Sequence, residues 1–128
     1  MHRILIVEDD EDVVNLTTRW LERTGYTVEY APDGEAALEL LGYDPLPTLV
    51  LLDVMLPKMD GFELLRRIRM EERTRTLPVV MVTSFSRDRD AARGRELGAN
   101  DYMVKPLHEL DFLKRVEHII KDQLRQAL

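Results

Sequence analysis

Charged and hydroxyl side chains in this sequence recur at one place, directly after an apolar run. Leu49-Val50-Leu51-Leu52 ends in Asp53, and Ile4-Leu5-Ile6-Val7 ends in Glu8-Asp9-Asp10. Val79-Val80-Met81-Val82 ends in Thr83-Ser84, and Tyr102-Met103-Val104 ends in Lys105-Pro106. A single carboxylate at the end of a buried strand is expensive. Three carboxylates, a lysine and a threonine at equivalent ends form a set. Carboxylates a few ångströms apart cannot all remain ionised without counter-charge. Lys105 supplies one positive charge, and a hard divalent cation with oxygen ligands supplies the rest. Mg²⁺ suits this role because it takes one or two carboxylates, keeps waters and binds phosphate oxygens. A carboxylate beside Mg²⁺ and an ammonium is a competent nucleophile for a phosphoryl group, with the cations neutralising the phosphoryl oxygens and Thr83 offering its hydroxyl to one of them. The product is an aspartyl phosphate on Asp53.

That chemistry requires the four runs to lie side by side. Apolar runs alternate with amphipathic segments along the whole chain. Strands are predicted at 3–7, 27–30, 48–53, 78–83 and 101–105, and helices at about 11–24, 33–42, 60–72, 87–97 and 108–126. Val13, Val14, Thr17, Trp20 and Leu21 share one face of the first helix, which Gly25 stops. Asp60 is the expected N-cap of the third helix, whose buried face is Phe62, Leu65 and Ile68. The last helix is expected to bury Leu113, Val116, Ile120 and Leu124. The Pro45/Pro47 pair marks a loop.

Five βα units with almost wholly apolar first, third and fourth strands predict an α/β fold with helices on both faces of a parallel sheet. Right-handed crossovers then select the doubly wound, flavodoxin-like order 2-1-3-4-5. Strands 1, 3, 4 and 5 become neighbours about 5 Å apart. Glu8, Asp9, Asp53, Thr83 and Lys105 fall in a row along the C-terminal rim, where open α/β sheets place their sites.

Over essentially its whole length the chain resembles the response-regulator receiver domain of two-component signalling, of the chemotaxis-regulator kind. The resemblance rests on Glu8-Asp9, on Asp53 with Met55-Leu56-Pro57 and Asp60-Gly61, on Thr83-Ser84, on Lys105-Pro106, and on Tyr102 three residues before the lysine. It implies that Asp53 takes a phosphoryl group from the phosphohistidine of a sensor histidine kinase or phosphotransfer protein. It implies that Glu8, Asp9, Asp53 and the Met55 backbone carbonyl hold Mg²⁺, and that the Lys105–Pro106 peptide is cis. Thr83 and Tyr102 would relay the change, with Tyr102 turning inward, to a partner-binding surface on the fourth helix, fifth strand and fifth helix. Met55 and Phe85, two residues after the aspartate and the threonine, would flank the water that hydrolyses the aspartyl phosphate and so set its lifetime. In that reading the chain catalyses only its own phosphorylation and dephosphorylation.

Composition narrows the alternatives. The 128 residues suit one domain over 1–128, and 45% hydrophobic with 33% charged residues is a globular balance. Cysteine is absent, which excludes disulfides and thiolate metal sites. No apolar stretch approaches the roughly 20 residues of a membrane span, and Met1-His2-Arg3 leaves no room for a cleaved signal. A cytoplasmic location and no membrane contact are expected. Net charge is −6, a poor basis for direct nucleic-acid binding. Arg87, Arg89, Arg93 and Arg95 are interleaved with Asp88, Asp90 and Glu96 and read as a solvated or partner-docking face. A haloacid-dehalogenase-type phosphatase would want a second aspartate where Met55 stands. A nucleotide- or flavin-binding module would want glycines where Glu8-Asp9-Asp10-Glu11 stands. A stand-alone receiver and the receiver of a larger regulator or hybrid kinase are both compatible with the sequence, as are a monomer and a phosphorylation-dependent dimer.

Overall fold

A computed structural model describes residues 2–127. Its elements are β1 (Arg3–Val7), α1 (Glu11–Arg23), β2 (Thr27–Ala31), α2 (Gly34–Leu40), β3 (Leu49–Leu52), α3 (Gly61–Met70), β4 (Val79–Thr83), α4 (Asp88–Glu96), β5 (Asp101–Val104) and α5 (Glu109–Ala127). The strands form one five-stranded sheet in the order β2-β1-β3-β4-β5. All pairings are parallel, with Ile4 opposite Leu49, Val50 opposite Val79 and Met81 opposite Tyr102.

Alternation along the strands divides the core into two layers. Leu5, Val7, Val50, Leu52, Val79 and Met81 face α2, α3 and α4, where they meet Phe62, Leu65 and Ile68. Ile4, Ile6, Leu49, Leu51, Val80 and Val82 pack with Trp20 and Leu21 of α1 and with Phe112, Val116 and Ile120 of α5. Trp20 and Phe112 are in tilted aromatic contact at 5.6 Å between ring centroids. Three helices begin on aspartate caps: Asp10 accepts from the Asp12 amide, Asp33 from Ala36 and Asp60 from Glu63. Each satisfies a backbone donor that the first helical turn leaves free.

Two details of the predicted core differ. α5 buries Phe112, Val116 and Ile120, while Leu113 is half-buried and Leu124 is exposed. The strands are four or five residues long, about 17 Å at most, and the 19 residues of α5 run about 28 Å, so its last turns have no sheet beneath them. Among the histidines, His108 and His118 face solvent, whereas His2 is half-buried and lies 3.3 Å from the Thr48 hydroxyl.

α4 is held unevenly. Its buried residues are only Asp90 and Gly94, and its N-cap, Arg87, makes no side-chain capping bond. Its far end is fixed. Gly98 has φ +102°, and its carbonyl accepts from Arg69 Nε at 3.0 Å and Nη2 at 2.8 Å. Arg69 also donates to the Leu77 carbonyl at 2.7 Å and to Asn100 Oδ1 at 3.1 Å. The same Asn100 oxygen accepts the Val79 amide. One guanidinium thus joins α3, the entry to β4 and the α4–β5 turn.

Candidate functional site

The sheet order brings the rim residues together across long sequence separations. Lys105 Nζ donates to Glu8 Oε1 at 2.7 Å and to Asp53 Oδ2 at 2.9 Å. One oxygen from each of Glu8, Asp9 and Asp53 lies within 4.8 Å of the others. Glu8 and Asp53 are buried and Asp9 is exposed, so the cluster opens to solvent on one side. An open cleft of about 630 Å³ runs over it, bounded by Asp9, Asp53, Met55, Phe85, Arg87 and Lys105 among others.

Asp53 is held from its own backbone outward. Its amide donates to the Val7 carbonyl, which fixes it one step beyond β3. Its Oδ1 accepts the Met55 amide at 3.1 Å, which orients the carboxylate and starts the turn toward α3. Gly61, the first residue of α3, presses against that turn. Its amide donates to the Val54 carbonyl at 2.8 Å, and a Cβ at Gly61 would lie 2.1 Å from the Asp53 carbonyl oxygen. The sequence places Gly61 in a motif but does not show this close approach, which depends on where α3 docks. Its only sequence signal is a glycine directly after a helix-capping aspartate.

Thr83, Phe85 and Tyr102 form a second connected group. Thr83 is fully buried, and its Oγ1 accepts the Phe85 amide at 3.3 Å. The Tyr102 hydroxyl donates to the Phe85 carbonyl at 2.7 Å. The Tyr102 ring is buried, already in the inward position that the resemblance assigns to the switched state. Gly94 of α4 makes the space, since a Cβ there would stand 3.1 Å from Tyr102 Cδ2 and 3.2 Å from Met81 Sδ. At the open end of α4, Arg87 pairs with the buried Asp90 at 3.1 Å, and Arg93 lies over the Phe62 ring at 4.4 Å. The charge pattern reads Arg87, Arg89, Arg93 and Arg95 as a solvated or partner-docking face. All four are exposed, and Arg87 and Arg93 also border the cleft.

Charge in this pocket is out of balance. Burial, with the neighbouring Asp53 charge adding to it, pushes the Glu8 carboxyl up to about 7 despite the Lys105 hydrogen bond. Burial alone would lower the Lys105 ammonium, but the bonds to Glu8 and Asp53 outweigh it and raise it. Burial, and then the Asp90 charge, raise the Tyr102 phenol. One lysine is too little positive charge for three carboxylates. The donor set, all hard oxygens around an open side, fits Mg²⁺ or Mn²⁺ and not a soft metal. The Lys105–Pro106 peptide is cis, as is Asp44–Pro45.

Comparison with known proteins places this geometry. The family model for the response regulator receiver domain matches residues 4–117, and the chain belongs to that family. It is 40% identical to the DNA-binding dual master transcriptional regulator RpaA of Synechocystis over 99% of its own length and 53% of that protein's. It therefore spans about half of that relative, as it does of the Escherichia coli transcriptional regulatory protein CpxR, at 40% identity and 50% coverage. Among solved structures, the non-phosphorylated HemR receiver domain of Leptospira biflexa superposes with a TM-score of 0.84 at 38% identity, covering 94% of each chain. The Mn²⁺-bound form of the response regulator Rcp1 superposes with a TM-score of 0.80 at 32% identity, covering 93% of this chain and 91% of that one. RpaA is named as a DNA-binding regulator, so the expectation that this protein makes no contact with nucleic acid gains no support from its relatives.

Proposed function

We propose that residues 1–128 are a single receiver domain in which Asp53 accepts a phosphoryl group and the rim residues carry out the transfer. The observation that carries this reading is the Lys105 ammonium bonded to both Glu8 and Asp53 within an acidic cluster open to solvent. An Asp53 oxygen attacks phosphorus. The bond from phosphorus to the donor nitrogen breaks, and that nitrogen keeps the electron pair. Lys105 is already within hydrogen-bond distance of Asp53 and is placed to follow the developing charge on a phosphoryl oxygen. Glu8, Asp9, Asp53 and the Met55 backbone carbonyl would hold Mg²⁺, which supplies positive charge to the remaining phosphoryl oxygens. The carboxylate cluster of this chain and the Mn²⁺-bound relative support that assignment.

Thr83 and Tyr102 are the switch residues in this reading. They meet at Phe85, which gives its amide to one and its carbonyl to the other. A Thr83 hydroxyl drawn toward a phosphoryl oxygen acts on the 84–87 loop and hence on the open end of α4. The surface of α4, β5 and α5 then differs between the two states and is read by a partner protein or output domain. Because Tyr102 is seated already, its inward turn need not be the event that phosphorylation drives. Met55 and Phe85 line the approach to Asp53 with apolar groups and restrict the water that would attack phosphorus. The donor in this reading is a histidine kinase or phosphotransfer protein. A cytoplasmic setting goes with that donor; no helix among the described residues is long and apolar enough to cross a membrane.

The test is incubation with acetyl phosphate, with and without Mg²⁺, followed by intact mass measurement. Wild type should gain one phosphoryl group only with Mg²⁺, and Asp53→Asn should gain none. Equal labelling of the two proteins would overturn the assignment.

A further inference from the structure

Met55 is 58% exposed in the cleft over Asp53, so its thioether is open to solvent beside the carboxylate cluster. Its position is fixed, because its amide is bonded to Asp53 Oδ1. Of the other described methionines, Met81 and Met103 are buried, Met59 packs against the core, and only Met70 is comparably open, at 69%. Met70 lies at the end of α3, in a separate cavity with Leu38, Leu41 and Arg73. One accessible methionine therefore stands beside the proposed nucleophile and another stands apart from it.

We propose that Met55 is an oxidation site through which a two-electron oxidant, such as hydrogen peroxide, shortens the life of the aspartyl phosphate. This rests on the receiver reading above. In the chemistry, a sulfur lone pair attacks one peroxide oxygen and the O–O bond breaks. The hydroxide that leaves takes up the proton released from the transferred oxygen and departs as water. Sulfur is oxidised by two electrons and peroxide is reduced. The product, methionine sulfoxide, replaces an apolar side chain with a polar one bearing a strong acceptor oxygen. At Met55 that oxygen enters the same cleft as Asp53 and Lys105. A thioether there excludes water and gives it nothing to bind. A sulfoxide accepts a hydrogen bond from water and holds it next to phosphorus, which raises the rate of attack. Phe85 on the other wall has no oxidisable atom, so the change is confined to one side of the cleft.

The experiment uses Met70→Leu, which removes the other open methionine among the described residues, and Met55→Leu, each with and without mild peroxide treatment. Peptide mass mapping locates the added oxygen. Each protein is then phosphorylated with acetyl phosphate and Mg²⁺, and loss of the phosphoryl group is followed after donor removal. In Met70→Leu, peroxide should oxidise Met55 and speed phosphoryl loss by roughly tenfold, and methionine sulfoxide reductase should restore the slow rate. In Met55→Leu, peroxide should leave the rate unchanged. The inference is overturned if Met55 resists an exposure that oxidises Met70 in wild type, or if oxidised and untreated Met70→Leu lose phosphate at one rate. Failure of the untreated proteins to take a phosphoryl group would overturn the receiver reading itself and this inference with it.

Discussion

Replacing Gly61 by alanine should damage the site and the fold together, in a proportion the geometry sets. The new Cβ would lie 2.1 Å from the Asp53 carbonyl oxygen and 2.8 Å from its carbonyl carbon, against 3.4–4 Å for ordinary contact. The obstruction is backbone on both sides, so α3 and the Asp53 turn must separate by about 1 Å. Overpacking of this kind costs about 1–3 kcal/mol, and the better helix propensity of alanine returns up to about 1 kcal/mol. A net loss of about 1–2 kcal/mol is expected. The same displacement moves the Asp53 carboxylate relative to Lys105. A misplacement near 1 Å can cost about 10²-fold in rate. Urea unfolding measures the first quantity, and the initial rate of acetyl phosphate labelling with Mg²⁺ measures the second. Gly34→Ala is the control, because its Cβ would meet only the flexible Met59 side chain, at 3.0 Å from Sδ. It should shift stability by less than about 1 kcal/mol and leave labelling intact. Gly61→Ala with wild-type labelling and wild-type stability would refute the claim that α3 docks on Asp53 this closely.

Other outcomes follow from the same geometry. Lys105→Ala should still bind Mg²⁺ by calorimetry but lose most of its change in partner-surface chemical shifts on adding beryllofluoride, because the ammonium that spans Glu8 and Asp53 is gone. Met55→Asn with Phe85→Glu should hasten phosphoryl loss after donor removal, since both groups can hold water where the native pair cannot; an unchanged rate would show that these positions do not set the lifetime. Gly94→Ala should raise solvent quenching of tyrosine fluorescence relative to wild type, because its Cβ would stand 3.1 Å from the Tyr102 ring. In metal-free protein the Glu8 carboxyl is raised from 4.5 to about 7 in the fold. Its contribution to stability is therefore full below pH 4.5 and lost as pH rises through about 7. Urea midpoints with EDTA should fall over that window in wild type and fall less in Glu8→Gln.

The sheet order, and with it the convergence of Glu8, Asp53 and Lys105, was legible because strand chemistry and crossover handedness leave few arrangements. Asp60 as a helix cap was equally plain, since capping depends only on neighbours in sequence. Leu124 departs from its expected burial because its helical spacing continues past the point where the sheet ends, and spacing carries no information about what lies opposite. Arg69 does not stand out in the sequence for the converse reason. In sequence it is one of several arginines on a helix, and only docking sets its guanidinium against three other segments. The seated Tyr102 likewise depends on Gly94 crossing above it, a relation between α4 and β5 that neither segment states alone.

The fastening at Gly98 makes α4 a lever with its fulcrum at one end. Arg69 and Asn100 hold the fulcrum, while at the opposite end the Arg87–Asp90 pair is internal to the start of the helix and the loop before it is tied to β5 through the Phe85 carbonyl. The nine residues of α4 span about 13 Å. A swing of about 10° would carry the free end by about 2 Å and the fixed end by almost nothing. A small pull on the 84–87 loop, beside the rim, is thus magnified over Arg87 and Arg89 and absent at Glu96. A partner that reads this protein through the first turn of α4 sees a large signal, and one that grips its last turn sees a steady handle.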